Sequence, residues 1–227
     1  MELKDLNSEN HRQTKQLISY LVSNDSGYAL RESNLHAAFS SAQSFGQSNL
    51  VAAFLYLNCL DQIGDLFCEP NGKGKNNDNA IKKALEKFGP KLSQKKLHGL
   101  VNLRHALAHK MGLVNIKGNS NCKYIVSYDE TSNEVIVPPQ KIWNGKFEQG
   151  LPEIFSAKFD TKTSYVVNVF ALRQMVQGVF NTIESQKDSL IFYLESNPQE
   201  TTKCWNERYQ TRLREIAYRF FVYYKEL

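Results

Sequence analysis

From Ser48 to Phe67 the chain is strongly apolar and far longer than a strand, with Asn58, Asp61-Gln62 and Asp65 the polar residues beyond its first two positions. A segment apolar around most of its circumference has to be a helix buried among other elements. Its most apolar part, Val51 to Leu60, falls short of the ~20 residues that cross a bilayer, so it is expected inside a globular core. Neighbouring sequence supplies helices to cover it. Leu17, Ile18, Leu21 and Val22 form an apolar stripe in a helix expected from Ser8 to about Asn24, and a second helix is expected over Glu32–Ser44. After the long helix, residues 71–79 are too polar and glycine-rich to pack and read as a loop. Asp78 or Asn79 can cap the next helix, which stops at Gly89-Pro90. Ser93 can cap another, with Gly112 as its stop.

The period then changes. Tyr124, Val126 and Tyr128 alternate, Asp129–Asn133 is turn-like, and Val135–Val137 is extended again, which predicts a β-hairpin ended by Pro138-Pro139. Residues up to Thr163 look irregular, with Gly145, Gly150 and Pro152 as breakers. Helical periodicity is expected from Ser164 to Glu195, split near Gln186. A last helix, from about Gln199 to Lys225, places Tyr209, Leu213, Ile216, Ala217, Phe220 and Tyr224 on one face. The expected fold is mainly α: one helical-bundle domain over residues 1–227 with a small β-hairpin inserted around 122–138.

A chain of 227 residues can bury a core of that size. Cys59, Cys68, Cys122 and Cys204 are scattered, without Cys-x-x-Cys spacing or a Cys/His cluster, so reduced thiols are expected rather than a disulfide framework or a zinc site. Met1–Asn10 is charged and polar with no apolar stretch of secretory type, and the expected location is the cytoplasm. The net charge of +5 says less than its distribution. Lys82, Lys83, Lys87, Lys91, Lys95 and Lys96 are opposed locally only by Glu86. Such a run would attract a polyanion such as RNA through phosphate contacts, and it reads equally well as a solvated surface.

The chemistry concentrates in Leu103-Arg-His-Ala-Leu-Ala-His-Lys110. On a helix of ~100° per residue, Leu97, Leu100, Val101, Leu107, Ala108 and Met111 form an apolar arc, and Arg104 falls inside it. His105 and His109 lie one turn apart on its flank. An arginine in an apolar stripe is costly unless an anion meets it. A carboxylate of the long helix, Asp61 or Asp65, would satisfy it structurally. The two histidines make half a metal site, but Ala-Leu-Ala between them lacks the glutamate of helical zinc proteases and no further ligand lies nearby, so neither metal nor cofactor is expected.

Arg104-His105-Ala-Leu-Ala-His109 resembles the Arg-x-x-x-x-His signature of HEPN domains, in which a polar residue often follows the arginine; His105 fills that position. The helical context, with a long apolar helix upstream and the motif near a helix C-terminus, resembles the family too. The resemblance implies a metal-independent endoribonuclease, often a toxin or antiphage effector, acting as a homodimer with a composite cleft in which RNA phosphate meets Arg104. A partner antitoxin or regulatory protein would also fit. Arg104, His109 and His105 would then be the catalytic residues. His109 would move protons near neutral pH, Arg104 would stabilise phosphorane charge, and His105 would orient His109 or bind phosphate. The alternative is a non-catalytic module of the same fold that binds RNA, nucleotide or a protein. On the last helix, Arg208, Arg212 and Arg219 beside Trp205 and Tyr209 suggest a base-stacking surface, although those aromatics fall on the apolar face and fit a core better.

Overall fold

The computed structural model describes residues 3–23, 33–45, 50–69, 79–110, 114–117, 120–138, 164–195 and 199–221. Within them lie helices α1 (Ser8–Val22), α2 (Asn34–Ser44), α3 (Leu50–Phe67), α4 (Ala80–Phe88), α5 (Gln94–Lys110), α6 (Val169–Gln186) and α7 (Thr202–Phe220). The strands are β1 (Val114–Lys117), β2 (Ser120–Ser127), β3 (Ile136–Val137) and β4 (Ser164–Asn168). The chain is mainly helical with a small sheet, as its periodicity predicts. Helix starts follow local chemistry: the side chains of Asn7, Ser33, Asn79, Asn168 and Thr201 each accept a first-turn N–H, removing an orphan donor.

Helix α3 is the centre of the bundle. By length and composition it could span a membrane, yet most of it is buried among the other helices. Tyr56, Leu57, Leu60, Ile63 and Leu66 are all essentially inaccessible. Gly64 lets α4 cross in contact, since a Cβ there would stand 2.0 Å from the Ala80 carbonyl oxygen. Two lysines of α4 then answer the electronegative end of α3. Lys87 Nζ donates to the Phe67 carbonyl at 2.8 Å and Lys83 Nζ to that of Glu69.

The sheet corrects the expected hairpin. β2 and β3 are not paired with each other; the strand order is β1-β2-β4-β3. β2 pairs antiparallel with β1 and parallel with β4, while β3 pairs antiparallel with β4. β4 therefore inserts between the two strands that were expected to face each other, and residues 164–168 are strand where helix was expected. The Asn168 side chain explains how the turn at 129–133 survives without a hairpin. Its amide donates to the carbonyls of Asp129 and Ser132, and its oxygen accepts from the N–H groups of Asp129 and Phe170. One buried amide thus ties the turn to the start of α6. The second half of the expected 164–195 helix is also corrected: after a short 3-10 turn, residues 190–195 form neither helix nor strand. There Tyr193 donates its N–H to the Leu66 carbonyl. The irregular stretch expected up to Thr163, Gly112 and the end of the last helix lie outside the described residues.

Candidate functional site

Helix α5 carries the motif, and its burial differs from the expected arc. Leu97, Leu100, Leu103, Ala106 and Leu107 are buried, whereas Val101 and Ala108 are only half-buried. Leu103 and Ala106 lie outside the arc drawn from sequence, so the buried face is rotated by roughly a quarter turn. The sheet is the cause. Gly99 meets it so closely that a Cβ would stand 2.7 Å from Ile136 and 2.8 Å from Tyr165, and Tyr124 donates its hydroxyl to the Gly99 carbonyl. Arg104 consequently lies at the rim of the buried face instead of inside it, with His105 and His109 further out.

At that rim Arg104 finds its anion within the same chain. Its Nη2 donates to Asp61 Oδ2 at 2.5 Å, with side chains 22% and 12% exposed. The structural partner considered for Arg104 is therefore the one found, and no second subunit is needed to explain the buried cation. Asp61 takes only part of the guanidinium. Arginine presents five N–H donors; among the described residues the Nε has no hydrogen-bond partner although it is buried. Burial pushes the Asp61 carboxyl above its usual range, Arg104 pulls it back, and Asp65 adds to the rise while His105 opposes it. His105 thus acts on the same carboxylate as Arg104, through charge alone and more weakly. Its ring lies parallel to that of His109, with centroids 5.7 Å apart and planes 17° apart, and His109 is exposed. Asp61 anchors Arg104, and the stacked His105–His109 pair stands on the same helix α5.

No family model, curated protein or solved structure matches this chain.

The lysine run does not converge as a group. Lys87 is committed to the last carbonyl of α3 and Lys83 to that of Glu69 just beyond it, Lys82 pairs with Glu86 at 3.8 Å, and Lys96 pairs with Glu134. Lys91, just before α5, and Lys95, in its first turn, are exposed. Trp205 and Tyr209 stack on each other inside the core, so they offer no surface to a base. Arg219 behaves differently from its neighbours. From the far end of α7 it donates to Gln62 Oε1 and lies 3.7 Å from Asp65 Oδ2. Sequence reasoning placed Arg219 on the last helix but had no means of joining it to α3, since 157 residues separate it from Gln62. Among the described residues no group of three or more His, Cys, Asp or Glu side chains could hold a metal ion.

Proposed function

We propose that the chain is a metal-independent endoribonuclease of HEPN type, with Arg104 and His109 at its centre. The observation that carries this reading is the partly exposed guanidinium of Arg104: Asp61 fixes its orientation through one nitrogen, and its side chain stays 22% exposed on the helix that also carries the stacked His105–His109 pair. A cation already held in place costs little ordering when a phosphate arrives, which suits electrostatic stabilisation of a developing charge. The resemblance of Arg104–His109 to the HEPN signature supplies the reaction class.

In that reaction the RNA 2′-oxygen attacks the adjacent phosphorus as its proton leaves to a base. The bond from phosphorus to the 5′-oxygen breaks, and that oxygen takes up a proton. The products are a 2′,3′-cyclic phosphate and a 5′-hydroxyl, with no oxidation and no added reactant. His109, exposed and thus able to exchange protons with solvent, serves one of the two proton transfers. Arg104 donates to the equatorial phosphorane oxygens, and His105 orients the His109 ring by parallel contact. A homodimer with a composite cleft and control by an antitoxin belong to the same proposal, as do cytoplasmic residence and a role in defence.

A second reading has its own support. The Arg104–Asp61 pair can be purely structural, leaving a helical module that binds RNA, nucleotide or protein without cutting. Incubating a mixed RNA pool in EDTA with wild type, His109→Ala and Arg104→Ala separates the two. Cleavage by wild type alone, reduced roughly 10²–10⁴-fold in each variant, is expected of the enzyme. Folded wild type that leaves the pool intact would favour the binding module.

A further inference from the structure

Arg219 stands at the edge of a cavity beside α3, the helix that anchors the candidate site. Asp65 lies one turn after Asp61 on α3, so the anchors of Arg104 and Arg219 are neighbours on one helix face, ~5–6 Å apart at their Cβ atoms. Asp65 and Arg219 also line an open cavity of about 470 Å³ between α3, α4, α7 and residues 193–195. Its other charged and ring-bearing walls include Lys83, Tyr193, Glu195 and Arg212. This volume lies within the range of small-molecule sites.

The cavity is mixed in charge. Lys83 donates to the Glu69 carbonyl and Arg212 pairs with Glu215 at 3.4 Å, while Arg219, which touches Gln62 and Asp65, is the more exposed of the two wall arginines, its side chain 42% exposed against 23% for Arg212. Such a wall suits one phosphate at the Arg219 edge and a polar base edge within, and an array of phosphates would fit it poorly. Glu195 offers an acceptor-only carboxylate. A carboxylate accepts from the exocyclic amine of cytosine and repels the carbonyl oxygen that uracil carries at the same position. Tyr193, half-buried on the wall, gives the base a ring to lie on.

We propose that this cavity is the subsite for the nucleotide adjoining the scissile phosphate, with Arg219 holding that nucleotide's phosphate and Glu195 selecting an amine-bearing base over uracil. The subsite rests on the ribonuclease reading above. Its substrate is single-stranded RNA, because a paired base presents no free edge to a side wall.

The test uses uncleavable 2′-O-methyl oligocytidine and oligouridine, fluorescently labelled, with binding followed by anisotropy over a series of salt concentrations. Wild type is expected to bind the cytidine probe roughly five- to a hundredfold more tightly than the uridine probe. Glu195→Gln should abolish that preference. Arg219→Gln should weaken both probes alike and lower the salt slope by about one, the mark of a lost phosphate contact, and Arg219→Lys should restore the slope. Arg12→Gln removes an equal charge from the exposed face of α1 and should change neither probe. Equal binding of the two probes, or a preference that survives Glu195→Gln, overturns the base assignment. An Arg219→Gln variant indistinguishable from Arg12→Gln overturns the phosphate assignment. If wild type cuts RNA through His109 but these variants behave as wild type, the subsite falls and the ribonuclease stands. If wild type neither binds nor cuts RNA, both fall together.

Discussion

At the scale of single residues, Asp61 decides how the site is held. Its carboxyl lies above the usual 3.8 because burial disfavours the carboxylate more than Arg104 favours it. The folded protein therefore takes up a proton at Asp61 at higher pH than the unfolded chain does. Above the folded value the charged form lowers stability, and that loss is recovered as pH falls through the raised value toward 3.8. Urea denaturation of wild type and Asp61→Asn should accordingly show wild type gaining on the variant between about pH 7 and about pH 4. The opposite trend would mean that attraction to Arg104 outweighs burial. Asp61→Ala, which leaves Arg104 half-buried without an anion, is expected to cost about 1–3 kcal/mol by the same measurement. The thiols make a second check. Cys59 is buried within α3 and pushed up to about 12, whereas Cys204 is exposed. In the native protein at pH 8, iodoacetamide should label Cys204 and leave Cys59 untouched until denaturant is added, as mass spectrometry would reveal. The unusual arginine and its two candidate partners were legible in the sequence. The choice between Asp61 and Asp65 was not, because it depends on which turn of α3 faces α5.

At the scale of elements, the helices were legible and their packed faces less so. Caps such as Asn79 and stops such as Gly89 act through neighbouring backbone, so a local pattern contains them. The buried face of α5 was misplaced because Gly99, on the same side of the helix as Leu103 and Ala106, meets a sheet whose strands come later in the chain. The lysine run shows the same limit: its density suggested a polyanion site, while Lys83 and Lys87 serve the C-terminal end of α3. This divides the run into two testable groups. Lys87→Met should lower stability by about 0.5–1.5 kcal/mol in denaturant titration with little effect on RNA binding. Lys91→Glu with Lys95→Glu should leave stability nearly unchanged and weaken binding of a labelled RNA. Loss of RNA binding from Lys87→Met alone, with stability intact, would reverse the assignment. At the crossing of α3 and α4, Gly64→Ala forces a methyl group into the Ala80 backbone and is expected to cost about 1–3 kcal/mol or more.

At the scale of the whole molecule, helical periodicity is a local property and the mainly α class followed from it. The sheet did not, because β2 and β4 run parallel and parallel neighbours need a long connection between them. The hairpin expected from residues 124–137 had the right strands and the wrong partners: β4 separates them, and its short run of Tyr165-Val166-Val167 was absorbed into the helical pattern that follows. That sheet presses on Gly99 and turns α5 so that Arg104 meets Asp61 while His109 reaches solvent. The candidate site is thus a product of tertiary packing acting on a motif that is local in sequence. His109 is its most informative member, because an exposed side chain can be removed without disturbing the core. The decisive measurement is mass analysis of products from a DNA oligonucleotide carrying a single internal cytidine ribonucleotide, treated in EDTA with wild type or His109→Ala. Scission only at the ribonucleotide, leaving a 2′,3′-cyclic phosphate and a 5′-hydroxyl with wild type and intact strand with the variant, is the expected result. Scission that persists in a folded His109→Ala protein, or an oligonucleotide left whole by wild type that still cuts no all-RNA strand, would contradict a ribonuclease centred on Arg104 and His109.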